Sequence, residues 1–187
     1  MVRRCCALLL LLVPALAFAQ PRPPAVALQN GALTATLPLE VLNDSAVRKQ
    51  LGSGLTTTFL IIAREGKALS AARLEVRYDL WDEVWLVRRI EFDRRGDVQR
   101  VTSREALEAW WRGPVRLIAR APRSRLQIEL TVLPFSAAEE EDARQWIAKS
   151  GGVGTANSGS LVDALIGTTI SAKPIVSYRW DVEVPAR

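Results

Sequence analysis

The heptapeptide Asp79-Leu80-Trp81-Asp82-Glu83-Val84-Trp85 is where side chains of chemical use crowd together most in this chain. Asp82 and Glu83 could pair as acid and base or bind calcium, with Trp81 and Trp85 stacking on a sugar ring. Glycoside hydrolysis needs two carboxylates, and calcium takes oxygen ligands. A turn between two strands acquires the same composition for structural reasons, being acidic at its tip and aromatic where the strands pack. Neighbouring carboxylates are common on turns, so the structural reading outweighs the catalytic one.

What is missing narrows the chemistry further. The chain has no histidine, and its two cysteines are Cys5 and Cys6 at the extreme N-terminus. Downstream residues therefore cannot build a Ser-His-Asp or Cys-His site, nor a zinc site on nitrogen and sulfur ligands. The Ser-x-x-Lys spacing is absent; Lys149 beside Ser150, and Ser171 two residues before Lys173, are its nearest approximations. The glycine-rich run 151–160 fails the phosphate-loop pattern, because Ser160 stands where lysine should follow the last glycine and the run follows an expected helix, not a strand. No catalytic residue, cofactor or metal ligand is assigned, and a non-enzymatic protein is expected.

Two surface features remain. Trp110 and Trp111 are adjacent in an expected helix, about 100° apart, so one ring is expected in the core and the other partly exposed as a possible contact. Arg88, Arg89, Arg94, Arg95, Arg100 and Arg104 concentrate positive charge around one hairpin and the helix after it. Such a cluster could meet anionic lipid head groups, with each base near the surface worth about 1 kcal/mol. Glu91, Asp93 and Asp97 are interleaved with it, which is the pattern of an ordinary solvated rim.

The N-terminus reads as an export signal. Arg3 and Arg4 precede an apolar stretch over 7–16, and Ala17-Phe18-Ala19 has the small-x-small pattern of a cleavage site, so residues 1–19 are expected to leave. The stretch is short of the about 20 residues that a permanent span needs, and no later one qualifies. Both cysteines go with it, which removes any disulfide framework. The 187-residue chain carries a net charge of +5, two units of which belong to Arg3 and Arg4. That excess is too mild to imply nucleic acid.

Residues 20–24 carry three prolines and read as an extended spacer, leaving 25–187 as one globular domain. Period-two apolar rows predict strands over 33–41, 72–80, 115–119, 126–132 and 176–184, and Thr-, Phe- and Ile-rich 55–64 reads as a central strand. Residues 84–92 and 98–102 pair as a hairpin around 93–97. Asn43 or Asp44 caps a short helix ending at Leu51; Thr102 with Glu105 has capping-box spacing for a helix to Arg112. Two further helices are expected over 137–149 and 160–166, joined by a flexible connector. The pattern predicts a mainly β fold, an antiparallel sandwich decorated with three or four short helices. Its alternative is an α+β fold with helices on one face of a single antiparallel sheet.

The segments 42–55 and 78–85 carry a resemblance: the chain resembles uncharacterised exported bacterial domains of unknown function, in which a signal peptide precedes a strand-rich domain with a short early helix. The resemblance implies a periplasmic or secreted protein and brings no catalytic residues. The expected function is a non-enzymatic binding or assembly module of the bacterial envelope with a protein partner. The alternatives are a carbohydrate or envelope-polymer binder or weak carboxylate-based hydrolase on Trp81 to Trp85, and peripheral association with an anionic membrane through the arginine hairpin.

Overall fold

Five long segments, three of them alternating in apolar and polar side chains and one apolar on both faces, form one antiparallel sheet. In this computed structural model, which describes residues 20–91, 93–118, 125–134 and 173–184, they are β3 (Thr57–Glu65), β4 (Ala68–Asp79), β5 (Val84–Glu91), β9 (Leu126–Leu133) and β10 (Val176–Val182). Their order is β10-β9-β3-β4-β5. Beyond β5 lie two short pieces of its hairpin partner, β6 (Arg94–Arg95) and β7 (Gln99–Val101). A second antiparallel sheet has the order β1-β2-β8, from β1 (Ala25–Gln29), β2 (Ala32–Thr36) and β8 (Val115–Ile118). The protein is thus mainly antiparallel β, with two sheets and short helices α1 (Glu40–Asn43), α2 (Ser45–Leu51) and α3 (Arg104–Trp111).

One core joins all of these elements. Phe59 and Ile61 of β3, Leu74 and Val76 of β4, Val87 of β5 and Leu130 of β9 face Leu33 of β2, Leu117 of β8 and the buried sides of the helices. Trp111, at the end of α3, is fully buried; its ring meets Phe59 edge-on at a centroid distance of 4.7 Å, and its indole N–H donates to the Pro38 carbonyl at 3.1 Å. A tryptophan in a core needs such an acceptor for its N–H. β3 is buried on both faces, since Leu60 and Ile62 pack with Ala71 in a smaller cluster on the opposite side of the sheet.

Several boundaries depart from the periodicity. The strand expected over 33–41 stops at Thr36, and Val41 belongs to α1. Pro38 cannot donate to a ladder, and its carbonyl instead accepts from Val41 N–H and from Trp111, which bends the chain into a helical turn. β1 lies outside the period-two rows, because Ala25 to Leu28 is apolar without alternation, although Asn30-Gly31, both at positive φ, is a hairpin-turn dipeptide that signals a strand on either side. The cap of α3 is Ser103, whose Oγ accepts from Ala106 N–H at 3.1 Å, and not Thr102. The spacer 20–24 lies against β10, with the Trp180 indole donating to the Pro21 carbonyl at 2.9 Å. The export signal, the helices expected over 137–149 and 160–166 and their connector lie outside the described residues.

Asp44 ties the helices to the far strand. Its Oδ1 caps α2 by accepting from Ala46 and Val47 N–H at 2.9 and 3.3 Å, and its Oδ2 accepts from the Tyr178 hydroxyl of β10 at 3.1 Å. Burial, reinforced by that carboxylate, pushes the Tyr178 phenol up to about 12.

Trp111→Ala is expected to destabilise the fold by about 3–5 kcal/mol, the range for emptying a large aromatic site in a core. Urea unfolding of the variant checks this; a loss below about 1 kcal/mol would mean that Trp111 does not knit the core together.

Candidate functional site

The β4–β5 turn is held by its own backbone. The Asp79 carboxylate Oδ1 accepts from Trp81 N–H at 3.0 Å and from Asp82 N–H at 3.2 Å, an arrangement short acidic side chains adopt at turns. Glu83 takes a positive φ of 52° to re-enter β5. Asp82 Oδ2 forms an ion pair with Arg100 of β7 at 2.8 Å, which fastens the turn to the neighbouring strand. Leu80 lies on Gly54, where φ is +78° and an added Cβ would come within 2.9 Å of the leucine side chain. Glycine therefore serves there twice, in conformation and in room.

The outcome is an exposed apolar tip. Trp81 is 95% exposed, Leu80 61% and Leu55, next in the chain to Gly54, 47%. An exposed large apolar group on a fixed turn is the kind of feature that marks contact surfaces. Trp85, in contrast, is half-buried: it packs against the core and stacks on Tyr78 at a tilted centroid distance of 4.7 Å. Trp81 and Trp85 therefore do not present one stacking platform. Asp82 and Glu83 are exposed, and Asp82 is engaged by Arg100.

Trp110 and Trp111 separate as helical geometry requires. Trp111 is fully buried and offers no surface. Trp110 is half-buried beneath the Arg89 guanidinium, 4.9 Å from its ring centroid. Arg89 donates from Nη1 to the Pro114 carbonyl at 2.7 Å and from Nη2 to the Trp110 carbonyl, thereby satisfying the end of α3. This close approach requires Gly113, whose added Cβ would lie 2.6 Å from Arg89 Nη2. Burial holds the Arg89 guanidinium below its ordinary pKa, opposed by nearby Glu91.

The other arginines of the cluster are also distributed among separate partners. Arg88 pairs with Glu75 on the face of the large sheet opposite the main core, so Arg88 and Arg89 point away from each other. Arg94 pairs with the buried Glu91 at 2.7 Å, which raises its pKa, while the other Glu91 oxygen accepts from Arg116 N–H at 2.9 Å and joins the hairpin to β8. Arg104 binds Glu108 at 3.3 Å and Asn43 at 3.1 Å, linking α3 to α1. Only the Arg95 side chain, of the six, makes no hydrogen bond or ion pair among the described residues. The arginines act mainly as fasteners between elements, a role that charge counting along the sequence does not disclose.

Among the described residues no helix is long and apolar enough to cross a membrane. The fold and tip define an antiparallel β protein that presents a structured aromatic turn. Comparisons with protein-family models, with curated proteins and with solved structures find no match.

The amide hydrogen bonds hold the Asp79 carboxyl below its ordinary pKa of 3.8, with those from Asp82 and Trp81 the principal causes. A depressed folded-state value means that this contribution to turn stability is present at neutral pH and is lost as pH falls through the folded-state midpoint. The Trp81 and Asp82 amide proton shifts should therefore titrate together with a midpoint below 3.8 and stop doing so in Asp79→Ala. A midpoint at or above the ordinary value would contradict the assigned turn.

Proposed function

We propose that this protein is an exported, non-enzymatic binding or assembly module of the bacterial envelope, and that it engages a protein partner through the β4–β5 tip. The observation that carries the reading is the 95% exposure of Trp81 on a turn fixed by Asp79, Gly54 and the Asp82–Arg100 pair. A tryptophan that buries 150–250 Å² on contact gains roughly 4–6 kcal/mol before the costs of association, at about 25 cal/mol per Å². A turn already fixed in the unbound protein loses little further entropy on binding, so more of that gain survives. Leu80 and Leu55 extend the apolar contact, and Arg100 and Asp82 supply a polar rim. The N-terminal signal pattern and the lack of histidine support an exported role without catalysis, and a periplasmic location fits both.

A photo-crosslinking amino acid replacing Leu80, in intact bacteria, is expected to trap one stoichiometric envelope protein. Adding Trp81→Ser should abolish the adduct while leaving thermal stability within about 0.5 kcal/mol of the parent, as for an exposed position. An adduct pattern indifferent to Trp81, or none with protein, would overturn the reading; recovery of a glycan would favour the polymer-binding alternative.

A further inference from the structure

A cavity of about 270 Å³ opens at β4 and β5, lined by Thr56, Glu75, Arg77, Leu86, Arg88 and Val98. Its size is near the lower end of the range for small-molecule sites. The strand register accounts for its composition. Glu75 is opposite Arg88 and Arg77 is opposite Leu86, so these four side chains adjoin on the sheet face away from the main core. Val98, 55% exposed, contributes an apolar wall together with Leu86.

The charges in and beside this cavity do not balance. Glu75 is buried: Oε2 accepts from Nε and Nη2 of Arg88, and Oε1 forms an ion pair at 3.2 Å with Arg73 Nε without a hydrogen bond. Its one negative charge is thus shared by two guanidinium groups. Arg77 adds a third positive charge and makes no hydrogen bond or ion pair among the described residues. The Asp79 carboxylate feels Arg77 without forming an ion pair with it, and its Oδ1 accepts from the Trp81 and Asp82 amides. The Nη1 edge of Arg88, which Glu75 does not use, and the whole of Arg77 remain for an incoming anion.

We propose that this cavity binds a small organic acid, with Arg77 and the Nη1 edge of Arg88 holding the carboxylate and Leu86 and Val98 packing its short apolar chain. Guanidinium groups match carboxylate geometry through paired N–H donors, and Glu75 fixes Arg88 in place before any ligand arrives. The apolar walls select against a bare inorganic anion, which would leave them wet. Thr56 and Glu75 complete the lining. This proposal is separate from the β4–β5 tip and does not rest on the partner reading.

Isothermal titration of the purified protein with sodium pentanoate, pentanamide and inorganic phosphate tests it. Pentanoate is expected to bind with saturation at one site, with pentanamide and phosphate each at least about tenfold weaker, as the loss of a charged hydrogen bond or of the apolar contact would cause. Arg77→Met, at an exposed position, should weaken pentanoate by roughly tenfold, and Val98→Asp, which places a negative charge in the wall, by at least as much. Circular dichroism establishes that both variants are folded. Absence of saturable pentanoate binding, equal affinity for pentanamide, tighter binding of phosphate, or indifference to both substitutions would overturn the proposal.

Discussion

The edge-on contact between Phe59 and Trp111 is the interaction on which the rest of the structure depends. Phe59 belongs to β3, the strand with β4 on one side and β9 on the other, so it represents the large sheet at its middle. Trp111 ends α3 just before the chain turns into β8 of the small sheet. Its indole N–H holds the Pro38 carbonyl, between β2 and α1. One buried side chain thereby meets the large sheet, the last turn of a helix and the connection leaving the small sheet. A void there would open where these elements meet, since packed interiors do not flow to fill a lost ring.

Around that centre, charged side chains finish what the apolar ones begin. Arg89 satisfies the end of α3, Glu91 joins the β5 hairpin to β8, and Asp44 caps α2 while receiving the Tyr178 hydroxyl. Each is a polar group brought close to the core to satisfy backbone or side-chain donors that apolar packing would otherwise strand. A consequence is that most arginines of the β5–α3 region are already occupied. Among the described residues, contact surface remains that is apolar, at the β4–β5 tip, and cationic, at Arg95 and at Arg77 beside the Glu75–Arg88 pair.

The long strands were legible because their alternation matches the burial of one sheet face: Leu126, Ile128, Leu130 and Val132 of β9 are all buried, as are Ala72, Leu74 and Val76 of β4. Alternation misled over 37–41, where Pro38 and a helical turn happen to preserve it. The first strand escapes the alternation because its apolar run from Ala25 to Leu28 has no polar residues between, and only the Asn30-Gly31 turn announces it. For the site, composition pointed to the segment 79–85 but could not decide which tryptophan is outward. That choice depends on strand register, which pairs Trp85 with Tyr78 and leaves Trp81 in the turn. The Glu75–Arg88 pair and the cavity beside it were invisible for the same reason, because those residues are thirteen positions apart and meet only across β4 and β5.

The central claim is that the exposed Trp81 is mounted on a rigid turn. Backbone ¹⁵N relaxation of the Trp81 and Asp82 amides tests it most directly. The account predicts order parameters near those of the strands, about 0.85, despite the full exposure of the indole. Values below about 0.6, typical of a flexible loop, would contradict it and remove the preorganisation on which the binding role rests.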